Sequence, residues 1–104
     1  MTVELLWWDG CPSHPEALAG LEQVLREEGV DAEVRRIEIR DDDQARRERF
    51  PGSPTIRIDG EDIVPPGESE PFSLTCRVYR TRDGRVSAVP DPEDVRDAVR
   101  SRVA

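Results

Sequence analysis

Two cysteines and the single histidine are the residues of this chain best suited to nucleophilic or redox chemistry. Cys11 comes just before a helical pattern, and the start of a helix stabilises a thiolate through free backbone N–H groups and the helix dipole. His14 follows three residues later, one helical turn along the same face. As imidazolium it would lower the thiol pKa, and as imidazole it would accept the thiol proton. The motif predicts a reactive Cys11 thiol assisted by His14; the alternative is an inert cysteine beside a surface histidine without a role.

The second cysteine, Cys76, lies in a segment whose residues alternate as those of a strand do. The alternation places Cys76 on one face with Leu74 and Val78. Two interpretations follow. Cys76 is a small buried core residue, as free cysteines often are, or it is a resolving thiol that closes a disulfide with Cys11. The second interpretation requires Cα atoms within about 7 Å of each other.

The same side chains are also suited to bind a soft metal ion. Cys11, His14 and Cys76, together with Asp9, would offer sulfur, nitrogen and oxygen ligands to zinc or mercury. The local Cys-x-x-His spacing supplies only two of these ligands. The sequence therefore assigns no metal site, and metal-thiolate binding stays an alternative function.

Length and charge limit the classes of function. The 104 residues make a single domain, 1–104. Acidic residues number 23 against 15 basic ones, a net charge of −8, which excludes nucleic acid and anionic membranes as partners. Every basic residue is arginine, so chemistry that needs a lysine amine is excluded as well. Because we find no basic leader and no apolar run of bilayer length, we expect a cytoplasmic monomer without a disulfide scaffold.

Hydrophobic patterns predict the elements that must position Cys11. A strand covers residues 3–8, and apolar residues spaced three and four apart from 18 to 25 give a helix that ends at Gly29. The helix starts in one of two ways. Cys11 is the N-cap with a proline at N1, or Ser13 is the N-cap and a glutamate three residues on completes a capping box.

The rest of the chain continues the alternation of strands and helices. Patterns and turn signals predict strands over 30–39, 55–58, 61–64, 74–80 and 86–89, and helices over 41–49 and 91–103. Phe50 is predicted to anchor the short helix to the core. The order strand, helix, strand indicates a parallel pair with a crossover, and the Asp59-Gly60 turn adds antiparallel strands. A mixed sheet with helices follows.

Three of these features together resemble the thioredoxin-like family. A strand ending in Trp7-Trp8 runs into Cys11-Pro12-Ser13-His14 at the head of a helix, a short second helix precedes Gly52-Ser53-Pro54-Thr55, and an apolar strand with an Asp-Gly hairpin follows. The resemblance covers residues 1–64 and the closing helix over 91–103. Residues 65–90 have no counterpart in the minimal fold.

The resemblance implies a thioredoxin-like α/β fold, a mixed central sheet flanked by helices, here with an added β-hairpin before the C-terminal helix. It implies that Pro54 is cis and lies against Cys11, which makes Pro54 the third catalytic candidate. The candidate substrate-binding residues are Trp8, Pro12, Ser53 and Thr55. Dithiol members of the family have a second cysteine where this chain has His14, so a two-cysteine cycle within the motif cannot operate here.

We therefore expect thiol–disulfide exchange through the single Cys11, which would form a mixed disulfide with a protein or low-molecular-weight thiol and need no cofactor. If exchange turns over, the chain is a thiol–disulfide oxidoreductase. A binding module that kept the scaffold and lost turnover is the alternative from another class, beside the metal-thiolate protein.

Overall fold

A four-stranded mixed sheet with three helices forms the body of the protein in a computed structural model, which describes residues 1–103. The sheet order is β2-β1-β3-β4, with β2 parallel to β1 and with β3 and β4 antiparallel to their neighbours. β5 and β6 form a separate hairpin before the last helix. The elements are β1 (Val3–Trp7), α1 (His14–Glu27), β2 (Val34–Glu38), α2 (Asp42–Arg47), β3 (Thr55–Ile58), β4 (Glu61–Asp62), β5 (Tyr79–Arg80), β6 (Val86–Ser87) and α3 (Pro92–Val103). The predicted α/β class and mixed sheet are thus confirmed.

Neighbouring residues of β1 point to opposite faces of the sheet and begin two cores. Leu5 belongs to the larger core, which includes residues of β3, α1 and α3, whereas Leu6 belongs to a smaller core with α2. Phe50, predicted to anchor the short helix, is fully buried in the smaller core. β1 is packed on both faces. The position of its last residue, where the loop to α1 begins, is therefore fixed. Within residues 1–103 no helix combines the length and apolar character that crossing a bilayer requires.

The helix α1 starts in the second of the two predicted ways, with Ser13 at the N-cap. The capping box is absent, because the Ser13 hydroxyl makes no hydrogen bond to the helix backbone. That hydroxyl lies 3.4 Å from the Sγ atom of Cys11 instead. Cys11 therefore sits just before the first turn, with the N-cap side chain turned back toward its sulfur.

The second strand is shorter than predicted because its first residues close α1. Gly29 has a φ of 68° and donates its N–H to the Arg26 carbonyl, and the Val30 N–H reaches the Leu25 carbonyl at 2.9 Å. These two hydrogen bonds make a Schellman motif, whose left-handed residue is usually glycine. Val30 thus ends the helix, and β2 begins only at Val34.

The segment predicted as a strand over 74–80 differs most from expectation. Only β5 is regular, and Cys76 makes a single isolated bridge to Ser53. The interpretation of Cys76 as a buried core residue is wrong, because Val78 is 68% exposed and Cys76 is also exposed. Arg77 and Tyr79 are the buried residues of the segment. The return strands β4 and β6 also end earlier than predicted.

Candidate functional site

Cys11 lies in the tight loop between β1 and α1. Its backbone N–H donates to the Trp8 carbonyl at 3.0 Å, and the Trp8 N–H donates to the Ser53 hydroxyl at 3.1 Å. The Trp8 ring covers Gly10, where a Cβ atom would come within 2.4 Å of the indole. Cys11 is buried by these surroundings, with 3% of its surface exposed. Trp8, predicted to lie beside the thiol, thus helps to shape the loop that carries it.

The thiol of Cys11 is surrounded by polar groups. Its Sγ lies 3.4 Å from the Ser13 hydroxyl and 3.5 Å from the Ser53 carbonyl oxygen. The influence of the neighbouring Cys76 side chain lowers the pKa of this thiol. Burial raises the pKa of Cys11, but the hydrogen bonds from its neighbours outweigh burial, so the net pKa is lowered. The site therefore favours a thiolate at Cys11.

Cys76 is the second sulfur of the site and belongs to no core. The segment Thr75–Arg77 runs beside Ser53: the Ser53 N–H donates to the Thr75 carbonyl at 2.8 Å, and the Arg77 N–H donates to the Ser53 carbonyl at 2.9 Å. The hydrogen bond to the Cys11 sulfur is the largest of the effects that raise the pKa of Cys76. The pKa of Cys76 is thus raised and that of Cys11 lowered, so Cys11 is the thiol that ionises first.

The predicted docking residues lie around this pair. The Ser53–Pro54 peptide bond is cis, and Ser53, Pro54 and Thr55 are buried. Pro12 is exposed at the approach to α1. Both backbone hydrogen-bonding groups of Ser53 are used by the Thr75–Arg77 segment. The edge at which the resemblance would dock an extended peptide is therefore already paired within this chain.

His14 does not take the predicted position beside the thiol. Its ring stacks on Trp7 with centroids 4.2 Å apart, and its Nδ1 lies 3.5 Å from the Cys11 carbonyl oxygen rather than from the sulfur. Among the hydrogen bonds within residues 1–103, those of the Cys11 thiol are with Ser13 and Ser53. His14 thus supports the backbone of the loop.

Arg77 is a site residue that the sequence reasoning did not single out. Its guanidinium is buried, donates to Asp62 at 2.8 Å and to the Thr55 hydroxyl at 3.2 Å, and also bonds to the Val64 carbonyl. Burial raises the pKa of Asp62, although Arg77 opposes this increase. The ion pair explains why Arg77 faces inward. The signal available in the sequence was an arginine between alternating apolar residues, with an aspartate in the preceding hairpin.

Tyr79 completes the attachment of the segment. Its hydroxyl donates to the Pro54 carbonyl, and the Arg77 guanidinium lies over its ring at 4.8 Å from the centroid. Burial raises the pKa of the Tyr79 hydroxyl far above its ordinary value. The hydroxyl therefore stays protonated and able to donate this hydrogen bond. Residues on both sides of Pro54 are thus tied to the segment that carries Cys76.

Gly52 permits the close approach of this segment. Its φ is 152°, and a Cβ atom there would lie 3.0 Å from the backbone nitrogen and the Cβ of Arg77. We expect Gly52→Ala to lower the free energy of unfolding by about 1–3 kcal/mol, because the backbone becomes strained and the segment is displaced. Urea denaturation monitored by circular dichroism measures this loss.

Gly20 provides the matched control, since it lies within α1 and nothing is within 4 Å of a Cβ atom there. Gly20→Ala should leave the protein as stable or increase its stability by about 0.5–1 kcal/mol, because alanine favours a helix. Equal stability of the two alanine variants would contradict the tight contact at Gly52.

The metal ligands considered from the sequence do not come together as a cluster. Within residues 1–103 the structure places no group of three or more His, Cys, Asp or Glu side chains where they could hold a metal ion. Cys11 and Cys76 both lie beside Ser53, whereas the His14 ring lies against Trp7. The arrangement is that of two neighbouring thiols.

Comparison of the chain with protein-family models, with curated proteins and with solved structures finds no match.

Proposed function

We propose that this protein is a thioredoxin-like thiol protein that carries out thiol–disulfide exchange at the sulfur of Cys11. The observation that carries the proposal is the environment of this sulfur, which lies 3.4 Å from the Ser13 hydroxyl at the start of α1 and has a lowered pKa. The thiolate is the form of cysteine that attacks a disulfide, and the sulfur with the lower pKa is the better leaving group. The lowered pKa of Cys11 therefore favours both its attack on a disulfide and its later departure as the leaving group.

The fold supports the likeness to the thioredoxin family. The cysteine lies between the first strand and the first helix, and the Ser53–Pro54 bond beside it is cis. The strand order β2-β1-β3-β4 brings the end of β1 next to the start of β3, so that Cys11 meets Ser53. These features make the thioredoxin-like fold the best description of this α/β domain. The partner class is a protein or low-molecular-weight thiol or disulfide.

Two alternatives explain less of the site. A binding module without chemistry gives no reason for hydrogen bonds that favour a thiolate. A metal-thiolate protein would use the same two sulfurs, and structural zinc is held by four ligands as a rule. Thiol exchange needs no group beyond the two that the structure brings together.

The pH dependence of alkylation tests the proposal. We expect Cys11, measured with iodoacetamide in the Cys76→Ser variant so that only one thiol reacts, to show an apparent pKa below about 8.5, the value of free cysteine. A hydroxyl at position 76 keeps a donor beside the sulfur, so Cys76→Ala should give a higher pKa. Ser13→Ala should raise the pKa as well.

The expected direction of the Cys11 pKa shift follows from the fraction of the thiol that is ionised. A lowered pKa means that more of Cys11 is ionised at neutral pH, and hydrogen-bond donors stabilise that ionised form. Circular dichroism confirms that each variant is folded. A Cys11 pKa equal to or above that of free cysteine in the Cys76→Ser variant would count against the proposed function.

A further inference from the structure

We propose that Cys76 is the outer sulfur of a two-thiol pair: it meets an external low-molecular-weight disulfide first, and Cys11 then closes an internal disulfide behind it. The inference rests on the proposed function at Cys11. It adds the second thiol, the order in which the two sulfurs react and the class of substrate that reaches them.

Exposure separates the two sulfurs. Cys11 has 3% of its surface exposed, whereas Cys76 is an exposed residue. Thiol–disulfide exchange requires the attacking sulfur to approach the disulfide in line, so its rate depends on access as well as on ionisation. An external disulfide therefore reaches Cys76 more readily than Cys11.

Backbone pairing holds the two cysteines next to the same residue. Cys76 is bridged to Ser53 by hydrogen bonds from its two neighbours along the chain, of 2.8 and 2.9 Å. The Sγ of Cys11 lies 3.5 Å from the carbonyl oxygen of the same Ser53. Both cysteines are thus held beside the same residue by contacts of the backbone and of the Cys11 sulfur.

The segment that carries Cys76 is fixed in place. Arg77, the next residue, is buried and paired with Asp62 at 2.8 Å, and the Tyr79 hydroxyl donates to the Pro54 carbonyl. These contacts follow Cys76 directly along the chain, so Cys76 is held beside Ser53 by a buried ion pair and by backbone pairing. A cysteine meant only to fill the core would be buried, and Cys76 is not.

The same pairing determines the class of substrate. An extended peptide that docked at Ser53 would need its backbone N–H and carbonyl, and Thr75 and Arg77 use both. The chain's own segment therefore occupies this edge. A low-molecular-weight disulfide can reach the exposed Cys76 without displacing the segment.

The reaction is written for oxidised glutathione as the probe. Cys76 first gives up its proton, its thiolate attacks one glutathione sulfur, the glutathione disulfide bond breaks, and the first glutathione leaves as a thiolate that takes up a proton. The Cys11 thiolate then attacks the Cys76 sulfur and displaces the second glutathione, which takes up a proton. The protein dithiol is oxidised to the Cys11–Cys76 disulfide, and the probe is reduced to two thiols.

The test compares reduced wild type with Cys11→Ser and Cys76→Ser, each mixed with oxidised glutathione, quenched with acid and mapped by mass spectrometry. The wild type should form the Cys11–Cys76 disulfide without a lasting adduct. Cys11→Ser should accumulate glutathione on Cys76 at least as fast as the wild type is oxidised. Cys76→Ser should acquire glutathione on Cys11 more than about tenfold more slowly, because that sulfur is buried.

The outcomes separate the two proposals. If Cys76→Ser is modified on Cys11 as fast as the wild type reacts, while Cys11→Ser stays unmodified, Cys11 is the outer sulfur and only this inference fails. If neither the wild type nor either variant reacts, both this inference and the proposed thiol exchange are wrong. Circular dichroism of both variants verifies that a slow reaction does not come from unfolding.

Discussion

Replacing Arg77 by leucine is expected to lower the free energy of unfolding by about 3–5 kcal/mol, the usual cost of breaking a buried ion pair by removing one partner. The side chain of Arg77 is 4% exposed and that of its partner Asp62 is 13% exposed. Without the guanidinium, the Asp62 carboxylate and the Val64 carbonyl would lose a buried hydrogen-bond donor. Urea denaturation of the variant against wild type measures the loss.

Arg85 offers a control of the same residue type. It pairs with Asp83 at 2.8 Å, but the two side chains are 80% and 57% exposed. Exposed pairs contribute little because water screens them, so Arg85→Leu should leave stability nearly unchanged. A double variant, Arg77→Leu with Asp62→Asn, should recover part of the loss, since no uncompensated charge then stays buried. If Arg77→Leu lowered the free energy of unfolding as little as Arg85→Leu, the claim that Arg77 anchors the segment would be wrong.

The same substitution links stability to the site. Arg77 follows Cys76 directly, and its N–H supplies one of the two backbone bonds to Ser53. When its side chain no longer holds the segment, Cys76 should move away from Ser53 and Cys11. The influence of Cys76 that lowers the Cys11 pKa would then be lost.

Local patterns in the sequence were sufficient to predict much of the framework. The α1 helix follows from apolar spacing and from glycine at its end, and the β3–β4 hairpin follows from Asp59-Gly60, whose two residues both have positive φ. Cys11 could be placed near a helix start because that placement depends only on neighbours in the chain. The predicted burial of Phe50 holds for the same reason.

Contacts between distant residues could not be predicted in this way. Alternation around Cys76 defines two faces but does not say which face is buried, and Arg77 turned inward because Asp62 is there to pair with it. His14 had two partners within reach, the Cys11 thiol and the Trp7 ring, and it stacks on the ring. The pairing of Ser53 with the Thr75–Arg77 segment joins residues that no local rule connects.

Loss of exchange in a Cys11→Ser variant is the other large effect expected. Serine keeps the size and hydrogen bonding of the side chain but is not a thiolate and cannot form a disulfide. The variant should therefore fold normally and lose the step that closes the internal disulfide, although Cys76 can still form a mixed disulfide with glutathione. Cys11→Ala should give the same loss, which separates missing sulfur chemistry from the new hydroxyl.

The most direct test of the account is the rate at which catalytic amounts of protein accelerate the reaction between dithiothreitol and oxidised glutathione. Dithiothreitol returns the internal disulfide to two thiols, so the cycle repeats. We expect the wild type to accelerate the reaction and Cys11→Ser to fall to the rate that an equal concentration of free cysteine gives. A Cys11→Ser variant that retained the wild-type rate would contradict the claim that exchange takes place at the Cys11 sulfur.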